Sequence, residues 1–156
     1  MKILVIGGDG FCGWPTSLHL SANGHNVTII DNFSRRKIDS ELNTKSFKNI
    51  KTLEERLQKW NSINNIPIHY IEIDIAKEYS KLKDFIDSIK PDTIIHLGEQ
   101  RSAPYSMKSD ETRLYTVQNN LIGTHNILNC IVEINPDIHF IHLGTMGVYG
   151  YGTVSD

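Results

Sequence analysis

The chain has 156 residues, a formal net charge of −2, 39% hydrophobic and 22% charged residues. This length suits a single domain with enough chain to bury a core, and the balanced charge, with no basic stripe, excludes a typical nucleic-acid surface. No apolar run approaches membrane-spanning length, and the two cysteines, Cys12 and Cys130, are too few for a disulfide framework. Met1 leads directly into an apolar run, so we expect no signal or transit peptide and a cytoplasmic protein with reduced thiols.

The first predicted element is a strand followed at once by a glycine-rich turn. Apolar residues 3–6 predict a buried parallel strand, and Gly7, Gly10 and Gly13 follow at three-residue spacing. Residues 14–22 are compatible with a helix. A strand, a glycine turn and a helix start form the arrangement that holds a pyrophosphate, because the helix N-terminus offers N–H groups and a partial positive charge.

A second apolar run over 27–30 ends in Asp31, about 20 residues past the glycines, where dinucleotide-binding folds place the acid that binds the ribose. A carboxylate there accepts hydrogen bonds from both ribose hydroxyls of adenosine and repels a 2′-phosphate, which favours NAD. Arg35 and Arg36 leave NADP open as the alternative, since an arginine just past this strand can bind the extra phosphate. They are also interpretable as contacts to the cofactor phosphates or adenine, or as solvated residues.

The remaining pattern alternates strands with helices. In chain order it predicts a long loop over 32–51, a helix capped by Thr52 and running to about residue 64, a strand over 67–73, a helix over 77–90, a strand over 93–97, one long helix over 112–134 and a strand over 138–143. Strands joined by helical crossovers predict an α/β fold, namely a Rossmann-type doubly wound parallel sheet in three layers.

Polar clusters fall at the predicted carboxyl ends of the strands, where such sheets bind their ligands. The clusters are 7–13, Asp31, Asp74 with Ile75, 98–106 and 144–150. His96, His139 and His142 lie inside predicted strands and are interpreted as strand or core residues. Their spacing does not indicate a metal site.

Together these residues resemble a known family. Gly-x-x-Gly-x-x-Gly, Asp31-Asn32, Asp74-Ile75, His96-Leu97-Gly98 and Tyr149-Gly150 are similar to motifs of the extended short-chain dehydrogenases/reductases that act on nucleotide sugars. The stretches Gly-Glu-Gln-Arg-Ser-Ala-Pro-Tyr-Ser-Met (98–107) and Leu-Gly-Thr-Met-Gly (143–147) resemble its UDP-sulfoquinovose synthase group. The resemblance runs from residue 1 to about residue 150.

The resemblance implies a chemistry of transient oxidation with permanently held NAD. The completed enzyme would take UDP-glucose and sulfite to UDP-sulfoquinovose, a sulfolipid precursor, through a 4-keto intermediate. The implied partners are these substrates and a homodimer mate or a complementing carboxy-terminal half, with no nucleic acid and no membrane. Two alternatives stay open: another NAD-dependent nucleotide-sugar epimerase or dehydratase, and a non-catalytic NAD-binding module.

The resemblance also implies roles for individual residues. The implied cofactor-binding residues are Gly7, Gly10, Phe11, Cys12, Gly13, Asp31, Asn32, Arg35, Arg36, Asp74, Ile75, Leu97, Gly98, Glu99 and Asn119. Thr145 is the implied catalytic hydroxyl at the sugar C4 oxygen, with capping of a turn as its alternative. Gln100, Arg101, Ser102, Thr145 and Met146 would bind substrate. Arg101 would recognise an anion, or else pair with Glu99 or Asp110.

Met146-Gly147 stand where sugar 4,6-dehydratases carry an Asp-Glu pair, which argues against that reaction and agrees with the UDP-sulfoquinovose synthase group. Two departures limit the expectation. Val148 stands where the resemblance predicts glutamate. The sequence ends at Asp156, before the Tyr-x-x-x-Lys motif and the nucleotide-sugar domain. We therefore expect residues 1–156 to form an NAD-binding Rossmann domain, incomplete on its carboxy-terminal side and without turnover of its own.

Overall fold

The computed structural model describes residues 1–44, 46–150 and 152, except for the side chain of Met146. Five parallel strands form one sheet in the order β3-β2-β1-β4-β5. Their bounds are β1 (Lys2–Ile6), β2 (Asn26–Asp31), β3 (His69–Glu72), β4 (Thr93–His96) and β5 (His139–His142). The strand order reverses at β1, so the ends of β1, β2 and β4 meet at the topological switch point of a doubly wound sheet.

Helices connect the strands. Their bounds are α1 (Gly13–Ala22), α2 (Ser34–Glu41), α3 (Leu53–Asn61), α4 (Tyr79–Ile89), α5 (Ala103–Ser106), α6 (Asp110–Val117) and α7 (Gly123–Ile134), with a π-helical segment (Gln118–Ile122) between α6 and α7 and a 3₁₀ turn (Met146–Tyr149) after β5. Thr52 starts α3 as predicted: its side chain accepts from the N–H of Glu55, whose carboxylate accepts from the N–H of Thr52.

The core lies on both faces of the sheet, because successive strand residues point to opposite sides. Leu4 and Ile6 of β1 pack with residues of α4 and α7, including Leu82 and Ile127. Ile3, Val5, Val27, Ile29, Leu53 and Leu57 form the opposite core, which Trp14 and Leu18 of α1 also join. The predicted three-layer, doubly wound α/β fold is confirmed.

Two predicted elements are wrong. Residues 34–41 of the predicted long loop form α2, and the predicted single helix over 112–134 begins at Asp110 and is interrupted by the π-helical segment. α2 was missed because it is polar and has no buried residue, so its apolar pattern is weak and limited to Ile38 and Leu42. α5 was not predicted either, and the other elements differ from their predicted bounds at one or both ends.

No helix in the described part of the chain is both long and apolar enough to cross a membrane. Both cysteines are free thiols, with Cys12 exposed and Cys130 buried.

Candidate functional site

A cavity of about 250 Å³ lies where the carboxyl ends of β1, β2 and β4 meet. The glycine loop, the end of β2, α2, the segment after β4 and the π-helical segment form its walls. It brings together thirteen of the residues implied by the sequence: Gly7, Gly10, Asp31, Asn32, Arg35, Ile75, Leu97, Gly98, Glu99, Gln100, Arg101, Ser102 and Asn119.

Gly7 and Gly13 are required by the fold of the loop itself. Gly7 has a φ of +83°, and a Cβ there would lie 2.7 Å from the backbone of Gly98. A Cβ on Gly13 would lie 2.1 Å from the carbonyl oxygen of Gly7. A Cβ on Gly10 would lie 3.1 Å from that same oxygen, a tight contact but a milder one than those at Gly7 and Gly13.

The N-terminus of α1 is suited to an anion. None of the described side chains caps it, and its first turn carries no acidic residue. The helix start carries the positive end of the helix dipole, although the N–H of Trp14 already donates to the carbonyl of Gly10 at 3.1 Å and Pro15 has no N–H. Gly10 lines the cavity, so this positive end lies beside it.

Asp31 lies at the end of β2 with its carboxylate held by the backbone. One oxygen accepts from the N–H of Asp9 and the other from the N–H of Phe33, each at 2.8 Å. Burial raises the pKa of Asp31 above its usual value, and these two bonds offset part of that effect. Each carboxylate oxygen retains a further lone pair for a ligand hydroxyl.

α2 supplies one wall of the cavity, although the sequence interpretation treated it as loop. Ile38 and Leu42 contribute apolar surface, and Ser34 and Arg35 contribute polar groups. The side chain of Asn32 accepts from the N–H of Ser34 at 3.0 Å and turns the chain into the helix. This local bond and the spacing of Ile38 and Leu42 are the signals that could have indicated α2.

Sequence reasoning also missed Asp9, a buried residue of the glycine loop. Its carboxylate accepts from Arg36 Nε at 2.6 Å and Nη2 at 2.9 Å, and it also pairs with Arg56. Arg35 Nη2 lies 3.6 Å away. The Arg56 guanidinium in turn lies 4.4 Å from the centre of the Trp14 ring. We call Asp9, Arg35, Arg36 and Arg56 the arginine cluster. Its salt bridges connect the glycine loop to α2 and α3.

Arg35 has an unsatisfied group beside the cavity. Its Nε is buried and has no hydrogen-bond partner among residues 1–44, 46–150 and 152. The Nη1 of the same guanidinium lies 3.3 Å from Asp39. A buried donor without a partner is rare in folded proteins, and a ligand acceptor would satisfy it.

The segment after β4 is fixed by two asparagines of the π-helical segment. Asn120 accepts from the N–H of Gln100 and donates to its carbonyl, both at 2.8 Å, while Asn119 donates to the carbonyl of Gly98 at 3.1 Å. The Gln100 side chain donates to Thr116 Oγ1 at 2.9 Å and accepts from the N–H of Ser102 at 2.5 Å. A π-helical turn at this point is typical of functional sites.

Other predicted site residues lie outside this cavity. Phe11 is 82% exposed, Cys12 is exposed, and Gly13 is buried in the turn. Asp74 accepts from the N–H of Ala76 and shapes the turn after β3. The remaining residues outside the cavity are Arg36, which is held in the arginine cluster, Thr145, and Met146, whose side chain is outside the described part of the structure.

Thr145 lies after the end of β5 and is exposed. Its hydroxyl accepts from the N–H of Gly147 at 3.2 Å, which is the turn-capping arrangement considered as its alternative. A hydroxyl retains its own O–H donor while it accepts such a bond. The same group is therefore still able to donate to a sugar oxygen.

Arg101 is exposed at the rim of the cavity. The ion pairs considered as its alternative are not formed in the described structure, because Glu99 contacts His142 and Asp110 contacts Arg113. Its guanidinium is thus available to an anion.

His96 is the buried core histidine that the sequence indicated. Its Nε2 lies 3.1 Å from Thr124 Oγ1, and its Nδ1 accepts from the N–H of Gly98 at 3.4 Å. Burial lowers the pKa of His96 to about 4. Ligand atoms of His96, Glu99 and His142 lie within 4.8 Å of one another, a grouping that the sequence spacing did not reveal. Both ring nitrogens of His96 already have partners within the protein.

Comparison with known proteins places these features in a family. The family model of GDP-mannose 4,6 dehydratase matches residues 4–155. UDP-sulfoquinovose synthase from Spinacia oleracea, a chloroplastic protein, is 44% identical over 96% of this chain and 31% of its own length. UDP-sulfoquinovose synthase from Sulfolobus acidocaldarius is 40% identical over 96% of this chain and 38% of its own length. The chain thus spans about a third of the length of these curated relatives.

A solved structure agrees with the fold. UDP-glucose 4-epimerase from Bifidobacterium longum, in complex with NAD+ and UDP, matches with a TM-score of 0.71 at 20% identity, over 96% of this chain and 38% of that one. The family match covers nearly the whole sequence, and the resemblance to UDP-sulfoquinovose synthases is confirmed. The chain therefore belongs to the GDP-mannose 4,6 dehydratase family, among the extended short-chain dehydrogenases/reductases of the epimerase/dehydratase type.

Proposed function

We propose that this chain is the NAD-binding part of a nucleotide-sugar enzyme of the UDP-sulfoquinovose synthase type. The observation that carries the cofactor assignment is the Asp31 carboxylate, fixed by two backbone N–H groups at the wall of the cavity. Its remaining lone pairs suit the two hydroxyls of an adenosine ribose. The glycine loop and the N-terminus of α1 lie beside it and suit the pyrophosphate.

Other features of the cavity fit the same ligand. Ile38, Leu42 and Ile75 provide apolar surface for an adenine ring, and the unpartnered Arg35 Nε offers a donor at the same wall. Gly10 leaves room for a close approach of the phosphates. When bound, NAD supplies reversible hydride acceptance, the chemistry that a transient oxidation at the sugar C4 requires.

The residues of this chain have distinct roles in the proposed reaction. Thr145 donates its hydroxyl proton in a hydrogen bond to the C4 oxygen and so orients that carbon. Arg101 binds an anionic group, either sulfite or a phosphate oxygen. Asn119 and Asn120 hold the backbone of 98–100 in place, so that Gly98 and Glu99 form a fixed wall of the cofactor site.

The assignment of UDP-glucose and sulfite as substrates rests on the 40–44% identity to two UDP-sulfoquinovose synthases. Met146 and Gly147 in place of an acid pair support this reaction over 4,6-dehydration. The chain spans 31% and 38% of these two relatives, so we propose that a completed enzyme takes its Tyr-x-x-x-Lys pair and nucleotide-sugar domain from the same polypeptide or from a complementing one.

Native mass spectrometry of the purified chain without added cofactor tests the first part of the proposal. We expect a folded species whose mass exceeds that of the polypeptide by one NAD. An apo mass, together with no heat of binding in a calorimetric titration with NAD, would contradict the cofactor assignment.

A chimera tests the reaction. Residues 1–150 of this chain would be joined to the remainder of the Sulfolobus acidocaldarius relative, and formation of UDP-sulfoquinovose from UDP-glucose and sulfite would be followed by mass spectrometry. We expect sulfite-dependent product, and its loss in the matched chimera with Thr145→Val while bound NAD is retained. A chimera that instead epimerises UDP-glucose at C4 without consuming sulfite would indicate a nucleotide-sugar epimerase.

A further inference from the structure

The arginine cluster brings three guanidinium groups around a single buried carboxylate at the edge of the cofactor cavity. The side chain of Asp9 is only 2% exposed, and those of Arg36 and Arg56 are 30% and 15% exposed. Arg36 uses Nε and Nη2 on Asp9, and Nη2 also donates to the carbonyl of Lys51 at 2.9 Å. The Arg36 guanidinium is therefore bound to Asp9 and Lys51 and does not line the cavity.

Without Asp9, these arginines would be close to the ribose-binding acid. Arg35 lines the cavity beside Asp31. The hydrogen bonds that Arg36 donates to Asp9 are the main reason that the pKa of Arg36 is raised, with a smaller contribution from the charge of Asp31. Arg35 is held too, since its Nη2 lies 3.4 Å from the carbonyl oxygen of Asp9 and its Nη1 contacts Asp39.

A 2′-phosphate on the ribose would lie beside Asp31, and guanidinium forks are the groups that bind such a dianion best. Two consecutive arginines, Arg35 and Arg36, follow Asp31 in the sequence, yet both guanidinium groups lie against the carboxylate of Asp9. The backbone N–H of the same Asp9 holds the Asp31 carboxylate at 2.8 Å. The backbone of Asp9 thus positions the Asp31 carboxylate, which suits an unphosphorylated ribose. The side chain of Asp9 binds guanidinium groups that would otherwise be available to a 2′-phosphate.

We propose that Asp9 is a specificity-determining residue: by holding Arg36 outside the cavity and engaging the Nη2 of Arg35 at the cavity wall, it makes the site select NAD over NADP. This inference rests on the proposed dinucleotide function. It places the choice of cofactor in the glycine loop as well as in Asp31, the acid that ends β2.

The test compares NAD and NADP affinities of Asp9→Asn with those of the wild-type chain, by calorimetric titration. The variant keeps the side-chain shape and removes the charge that holds Arg36. We expect the ratio of NADP to NAD affinity to rise by at least about tenfold, the effect of one new charge-assisted hydrogen bond. We expect that gain to disappear in Asp9→Asn/Arg36→Met, the matched control, because it lacks the released guanidinium.

A second variant, in which the net charge is unchanged, tests the inference if Asp9→Asn alone does not fold. Asp9→Asn/Arg56→Met removes one negative and one positive charge together, and the methionine retains apolar contact with Trp14. We expect the same gain for NADP. If the ratio of NADP to NAD affinity is unchanged in both Asp9→Asn and Asp9→Asn/Arg56→Met, with NAD still bound, the inference is overturned and the proposed function is left intact. A wild-type chain that binds neither dinucleotide would overturn both.

Discussion

At the scale of single residues, Asp31 carries the proposed cofactor assignment. Both of its oxygens are positioned by the backbone, so little freedom is lost when a ribose binds. We expect Asp31→Ala to weaken NAD binding by at least about 100-fold, the loss of two hydrogen bonds to a charged acceptor. Calorimetric titration would measure this, with Asp87→Ala on the exposed face of α4 as the control. Near-native affinity in Asp31→Ala would contradict the role.

The lowered pKa of His96 predicts how the free energy of unfolding depends on pH. Its pKa is about 4 in the folded chain, against an ordinary value of 6.5, so between these values the unfolded chain binds a proton that the folded chain excludes. The free energy of unfolding should therefore fall by about 3 kcal/mol as the pH falls from about 6.5 to about 4. Urea unfolding across this range measures the change.

His96→Leu is the matched variant for that experiment. It removes the titrating ring, so the pH dependence between 4 and 6.5 should become shallower than in the wild-type chain, whatever the stability of the variant at neutral pH. Equal slopes in the two proteins would mean that His96 does not carry the effect.

At the scale of elements, two glycines of the glycine loop are expected to affect different properties, Gly13 the stability of the fold and Gly10 the binding of NAD. Gly13→Ala would place a Cβ 2.1 Å from the carbonyl oxygen of Gly7, so we expect a loss of about 3 kcal/mol in the free energy of unfolding. Gly10→Val meets much less crowding in the protein, at 3.1 Å from the same oxygen, and lies at the cavity wall. We therefore expect Gly10→Val to fold and to lose NAD binding. Circular dichroism and calorimetry test both, and tight NAD binding by Gly10→Val would contradict the phosphate contact.

The elements also show where sequence reasoning succeeds and fails. β1 and β2 were predictable because buried parallel strands are continuous apolar runs, and α3 because Thr52 and Glu55 form a recognisable cap. α2 was not, because its formation depends on side-chain bonds of Asp31 and Asn32 to the backbone. The π-helical turn was not predicted because its asparagines bond to a segment about 20 residues away in sequence.

In the candidate site, too, some residues could be identified from sequence motifs and others could not, because their contacts depend on the tertiary structure. The motif positions Gly7, Gly10 and Asp31 were identified because each has a fixed place in a strand-turn-helix unit. Asp9 and Arg56 were missed because their pairing spans 47 residues and depends on tertiary structure. Gln100 was interpreted as a substrate contact, and its amide instead bonds within its own loop and to Thr116. Its substrate role stays a prediction.

At the scale of the whole molecule, the surface beside β5 is apolar and open. Ile141, on the edge strand β5, is 42% exposed, and Leu143, directly after that strand, is 56% exposed. Such a surface favours association. We expect the chain to bind a hydrophobic dye and to self-associate in sedimentation experiments, and Ile141→Thr to reduce both. Val132→Thr on α7, which removes another exposed apolar side chain, is the control. Unchanged dye binding in Ile141→Thr would contradict the assignment of this surface.

The central position of β1 has a consequence for synthesis on the ribosome. β1 is made before the other four strands, yet its second neighbour, β4, begins at Thr93, and the cavity wall is completed only by Asn119. At roughly 5–20 residues per second, the nascent strand waits several seconds with one side unpaired. Closure of the cavity is therefore a late event in synthesis, and chaperones that shield apolar strands have a long opportunity to bind β1.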